Sequence, residues 1–215
     1  MLEVYELKIK EFEEKINQLS AAIETAVDKT WEGIESMDEK IADEVYRGDD
    51  LIDSLVRDCM KEDMTISLMQ SPVAADWRKL MATFKILSDL ERIADHCADI
   101  SHYVLHLKRF PPVPQPPSQL KEMYDVMRAM VRESIAMYKG EGQERAELMK
   151  DRDDIVDTTF SNSVEEISRY LTETPDYAHQ YVDYLSIIKY IERMADHANN
   201  IAEWVIYRER NEILA

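Results

Sequence analysis

Glycine is nearly missing from this chain, with four in 215 residues against an average usage of about 7%. A fold of many short strands and tight turns needs glycine at its positive-φ corners, so the shortage points to long helices. Cysteine is scarce too. Cys59 and Cys97 stand apart, with no CxxC or Cys/His zinc spacing, and each sits in a helical pattern as a small buried hydrophobe. Basic residues are outnumbered, 26 Lys and Arg against 44 Asp and Glu, a net charge of −18. That balance excludes the basic face nucleic acid needs and disfavours an anionic membrane surface. It suits cations or a basic protein partner. Long apolar runs are also lacking. The longest uncharged stretch, Met64 to Ala75, falls far short of the ~20 residues that span a bilayer, so no transmembrane segment is expected. The opening residues MLEVYELKIKEFEEK are charged from Glu3 onward and do not read as a signal peptide. A cytoplasmic protein is the expectation.

Proline is confined. Five of the seven lie in FPPVPQPPSQ, residues 110–119, a stiff extended segment that cannot be helix interior. Pro72 and Pro175 occupy matching places, one ahead of Glu91 and the other ahead of Glu192. The chain therefore divides into a first repeat at 1–109, a linker at 110–117 and a second repeat at 118–215. Apolar residues recur at spacings of three and four, as in Ile9, Phe12, Ile16, Leu19 and Ile23, the mark of a helix with one apolar seam. A break near Ser36–Asp38 separates this helix from further ones at about 38–70 and 74–108. In the second half, helices are expected from Leu120 to the Gly140–Gly142 turn and at about 143–172 and 177–211. The reading is all-α: two tandem, pseudo-symmetric three-helix bundles built from six helices of ~25–35 residues, with neighbours antiparallel across short connections. The methionines lie mostly on these seams as core filler.

The chain says one thing twice. LERIADHCADI, Leu90 to Ile100, returns as IERMADHANNI, Ile191 to Ile201, and GDDLIDS at Gly48 to Ser54 answers RDDIVDT at Arg152 to Thr158. Carboxylates four apart share a helix face. Glu91, Asp95 and Asp99 form one stripe, and Asp49 and Asp53 form a pair on the preceding helix. In the second half the pair is Asp153 and Asp157, and the stripe is Glu192, Asp196 and Asn200. Asp53 and Glu91 lie equally far on either side of Pro72, so they come level across a hairpin. Asp157 and Glu192 do the same about Pro175. Converging carboxylates repel unless a cation joins them, and hard oxygen ligands suit iron, manganese, magnesium or calcium, with zinc entering through carboxylate oxygen. Two other readings remain open: buried ion pairs with Arg92 and Arg193, or plain solvated faces. An arginine one residue beyond a stripe member points about 100° away from the stripe, so it should serve those acids poorly. His96 and His197 also fall off the stripe, which favours interhelix hydrogen bonding over metal ligation. Glu-x-x-His is absent, as are a paired nucleophile and base and a Gly-rich phosphate loop, so nothing points to an enzyme.

The D-x-x-I/V-D pairs, the PVAADWR turn-to-helix start and the paired LERIADH and IERMADH…NNIAEWV segments resemble the PhoU family over nearly the whole chain. The resemblance implies a cytoplasmic, non-enzymatic protein, often a homodimer. Its implied partners are a Pst-type phosphate ABC transporter and the phosphate-sensing histidine kinase, through which it represses the phosphate-starvation response. Some members carry multinuclear metal clusters on E/D-x-x-x-D stripes. These match Asp49–Asp53, Glu91–Asp95, Asp153–Asp157 and Glu192–Asp196 here, and Asp99 and Asn200 extend them. The chain departs from the family pattern at Ala94 and Ala195, where the motif ERIGD has glycine. At −18, free phosphate is not expected on the protein's own surface. A carboxylate-metal phosphohydrolase and a purely structural helical adaptor are the competing classes. Self-association is expected through the residual faces of the first and fourth helices, near Trp31.

Overall fold

The computed structural model of the chain describes residues 2–69, 74–142 and 146–210. Among the described residues there is no strand. The elements are α1 (Leu2–Ser36), α2 (Glu39–Met69), α3 (Ala74–Leu107), α4 (Leu120–Tyr138), α5 (Ala146–Glu173) and α6 (Ala178–Arg210), with a 3-10 turn at Pro175–Tyr177 before α6. The turn expected at Pro72 lies outside the described residues.

Local chemistry sets the helix ends. Met37 closes α1 with φ of 51°. Asp38 then starts α2 by accepting a hydrogen bond from the Lys40 amide at 2.7 Å, as N-cap aspartates do. Helix α4 stops at Gly140, whose φ of 95° is open to a residue without Cβ. The Gly140 amide bonds to Met137 O and the Glu141 amide to Ala136 O, the paired closure of a Schellman turn. At 19 residues, α4 is shorter than the ~25–35 expected, because prolines bound it on one side and this turn on the other.

Helices α1, α2 and α3 pack on one another, as do α4, α5 and α6, and the most extensive contact of all joins α3 to α6. One continuous core runs from Ile16 to Ile206. Leu90, Ile93, Cys97, Ile100, Ile187, Ile191, Met194 and Ile201 are all buried at 1% exposure or less. Each such side chain stabilises the fold by roughly 1.5–3 kcal/mol, so the two repeats share their hydrophobic energy. An internal twofold shows in the side chains. His197 on α6 bonds to Asp89 on α3, while His96 on α3 packs against Tyr190 on α6. Asp89 and Tyr190 hold the same place in their repeats.

The Pro-rich segment is fastened down rather than free. Gln180 donates to Pro111 O at 3.2 Å, Tyr181 OH donates to Gln115 O at 3.1 Å, and the Ser118 amide and hydroxyl donate to Glu166. Trp31 packs on Tyr124 with ring centroids 5.1 Å apart, and Arg132 grips both oxygens of Asp28. The faces of α1 and α4 singled out for self-association are therefore partly spent on each other.

Candidate metal centres

Asp49 and Asp53 stand one turn apart on α2, facing the Glu91, Asp95 and Asp99 stripe of α3. The two helices run in opposite directions, so Asp49 lies toward Asp95 and Asp99, and Asp53 toward Glu91 and Asp95. Oxygens of Asp49, Asp53 and Asp95 all fall within 4.8 Å of one another, each residue half-buried. Burial, followed by repulsion from Asp95, Asp53, Asp50 and Asp99, pushes the Asp49 carboxyl up to about 6. Burial, with Asp53 and Asp95 nearby, raises Glu91 as well. Asp53 and Asp95 thus act on both Asp49 and Glu91, and Asp99 on Asp49.

Two of the three central acids already have an arginine partner. Arg92 pairs with Asp95 at 2.8 Å and Arg57 with Asp53 at 3.4 Å, while His96 Nδ1 lies 3.2 Å from Asp99. The Arg92 pair corrects the expectation that this arginine serves the stripe poorly. At i+1 it points away from Glu91, but three residues on, Asp95 comes back into reach of a long side chain. His96 likewise bonds within its own helix, whereas His197 makes the interhelix bond expected of both, to Asp89 on α3 at 2.8 Å. Asp49 Oδ1 is buried with no hydrogen-bond partner among the described residues.

The second repeat carries the same acids in a more open setting, with Asp157 and Asp196 exposed where Asp53 and Asp95 are half-buried. Burial, then Asp196, Asp157, Asp154 and Glu192, pushes Asp153 up to about 6, and its Oδ1 is also buried without a partner. Burial raises Glu192, with Asp196 and Asp157 adding to it. Burial and Asp157 raise Asp196 against the pull of His197 and Arg193. Among the described residues, the first trio alone brings three ligand atoms within 4.8 Å of one another. Asn200 lines a polar cleft between α3 and α6 that also takes in Asp196 of the second cluster. That cleft and the partnership of Asp89 with His197 were not foreseen from the sequence.

The donor set passes a chemical test for a hard cation. Each cluster is all carboxylate oxygen, carries a buried oxygen with no donor among the described residues, and pushes Asp49 and Glu91 in the first and Asp153, Glu192 and Asp196 in the second toward protonation, a state that a di- or trivalent ion relieves. Asp49, Asp53 and Asp95 would hold it in the first centre, with Glu91 and Asp99 beside them. Asp153, Asp157, Glu192 and Asp196 would do so in the second.

An internally duplicated bundle of six helices with an acidic cluster in each repeat is the class this chain falls in. The PhoU domain model matches it twice, at residues 16–104 and 120–205, and the chain belongs to the PhoU family. It is 26% identical over 208 residues to the phosphate-specific transport system accessory protein PhoU homolog of Clostridium acetobutylicum, covering 95% of this chain and 93% of that one. The homolog of the same description from Aquifex aeolicus is 29% identical over 207 residues, covering 96% and 93%. The fold matches the crystal structure of PhoU from Pseudomonas aeruginosa with a TM-score of 0.91 at 23% identity, over 97% of this chain and 100% of that one. It matches the phosphate transport system regulatory protein PhoU from Streptococcus pneumoniae with a TM-score of 0.85 at 22% identity, over 98% and 99%. Among the described residues no helix is long and apolar enough to cross a membrane.

Proposed function

We propose that this protein is a non-enzymatic, cytoplasmic regulator of phosphate uptake. It acts with a Pst-type phosphate ABC transporter and its sensor histidine kinase to repress the phosphate-starvation response when phosphate is plentiful. The observation that carries this reading is the match to phosphate-transport accessory proteins over nearly the whole of both chains. The two carboxylate clusters hold multivalent cations, and the bound charge stiffens α2 against α3 and α5 against α6. The orphaned Asp49 and Asp153 oxygens support that assignment. The protein works as a homodimer.

Deleting the gene should derepress phosphate-starvation genes in phosphate-rich medium, and unchanged expression would overturn the regulatory reading. Metal analysis of the purified protein and a phosphatase assay separate the competing classes. Bound metal without turnover supports the regulator. Turnover would make it a hydrolase, and no bound metal would leave the clusters as ion-paired faces of a structural adaptor. Light scattering at micromolar concentration tests the dimer, and a 25.2 kDa species alone would refute it.

A further inference from the structure

Where α3 packs on α6, between the two acidic clusters, an open cleft of about 580 Å³ is lined entirely by polar side chains. Helix α3 supplies Arg92 and His96. Helix α6 supplies Arg193, Asp196, His197 and the asparagines Asn199 and Asn200. In a chain of net charge −18, two guanidiniums and two carboxamides facing one space are an island of donors. Arg92 gives one nitrogen to Asp95 and keeps the rest of its fork, and Arg193 comes from the opposite helix. A guanidinium matches the oxygens of a tetrahedral anion two at a time. The imidazoles form a fixed wall, their centroids 5.6 Å apart, with Nδ1 of His96 held by Asp99 and Nδ1 of His197 held by Asp89.

The two repeats differ here in a way the cation clusters do not require. At the positions of Asn199 and Asn200, α3 has Ala98 and Asp99. The second repeat replaces a methyl and a carboxylate with two amides, which removes a negative charge and adds N–H donors on the α6 side. One carboxylate remains, Asp196. Sulfate at neutral pH presents only acceptors and is repelled by it, whereas a phosphate group that keeps one proton can donate its P–OH to the Asp196 carboxylate.

We propose that this cleft binds a phosphate group, with Arg92, Arg193, Asn199 and Asn200 donating to its oxygens and Asp196 selecting the protonated oxyanion over sulfate. The expectation that −18 disfavours phosphate treats charge as uniform, whereas the side chains lining this cleft carry two guanidiniums against the one carboxylate of Asp196. The assignment rests on the donor set and stands or falls separately from the regulatory reading, since its test is binding by the purified chain and not gene expression. The cleft exceeds the size of free phosphate, so the group arrives either as orthophosphate or as a monoester.

The test is calorimetric titration of the full chain, chelator-treated, with orthophosphate, phenyl phosphate and sulfate at about pH 5.5, where a monoester of second pKa about 6 still keeps its P–OH. One phosphate group should bind per chain with a dissociation constant on the order of 1 mM or tighter, and sulfate more weakly. Tighter binding of orthophosphate assigns the free ion, and tighter binding of phenyl phosphate assigns a monoester. Arg193 is exposed, so Arg193→Gln leaves the core intact and should weaken binding about tenfold or more. Arg193→Lys, which keeps charge but not the fork, should fall between. Asn199→Ala, restoring the α3 residue, should weaken binding about threefold, by the loss of one neutral hydrogen bond. Asp196→Asn should bring sulfate level with phosphate. No binding of either phosphate compound, or binding that Arg193→Gln and Asn199→Ala leave unchanged, would overturn the proposal.

Discussion

Asparagine in place of Asp49 should stabilise the metal-free protein and weaken its response to cations. Asp49 carries the clearest electrostatic strain in the first cluster. Its carboxyl is pushed from 3.8 to about 6, first by burial and then by Asp95 and Asp53, and Oδ1 has no donor among the described residues. A shift of roughly two units corresponds to about 3 kcal/mol between the two protonation states. Solvent screening at a half-buried site brings the recoverable part to about 1–2 kcal/mol. A folded-state pKa raised above the unfolded value means the native protein binds the extra proton, so stability is full below pH 3.8 and is lost as pH rises through about 6. Asp49→Asn removes that loss. Urea denaturation in chelator at pH 7.5 should show the variant more stable by about 1–2 kcal/mol, or roughly 2–8 °C in Tm for a domain of this size. The gain should shrink as pH approaches 4. With manganese or iron(II) added, wild type should gain more than the variant, because Asp49 is then a lost ligand. Glu35→Gln, on the exposed side of α1, is the control and should move stability by no more than about 0.5 kcal/mol. If Asp49→Asn is neutral or destabilising at pH 7.5 in chelator, the cluster is adequately solvated and the electrostatic argument for a cation fails.

Asp95→Ala should abolish cation-induced stabilisation at the first centre and spare the second, and Asp196→Ala should do the reverse. Calorimetric stoichiometry falling by one centre in each variant is the expected readout, with the first centre the tighter. Tyr124 is fully buried and donates to Val27 O at 2.7 Å, tying α4 to α1. Tyr124→Phe leaves that carbonyl short of a partner and should cost about 1–2 kcal/mol in urea denaturation. Asp63 is pushed up to about 7 by burial, against the pull of Arg208, and its Oδ2 lacks a partner among the described residues. Its contribution is full below pH 3.8 and lost as pH rises through about 7. Asp63→Asn should therefore stabilise the protein at pH 8 by about 1 kcal/mol after discounting for screening, with little gain near pH 4.

What could be read from the sequence followed from local geometry. Four-residue spacing put each acidic stripe on one face, and counting from Pro72 and Pro175 levelled the pairs across their hairpins. A short connection leaves two helices few ways to pair, so the α2–α3 and α5–α6 registers were legible. No such constraint links the two repeats, and the packing of α3 on α6 follows instead from apolar surface on more than one side of each helix. Along α3 the successive residues His96, Cys97 and Ala98 are all buried. Three residues in a row turn through about 200°, wider than the roughly 100° stripe of a helix covered on a single face. Arg92 departs from the expectation because a long side chain reaches Asp95 three residues on, whatever its direction relative to the stripe at its own position. The polar cleft escaped because its donors come from two repeats, and neither repeat has a recognisable anion motif alone. Once α3 meets α6, the substitution of Asn199 and Asn200 for Ala98 and Asp99 has a local consequence that net charge hides. It leaves the acidic clusters apart and places neutral donors between them, so oppositely charged ligands can be held on adjoining faces of the same two helices.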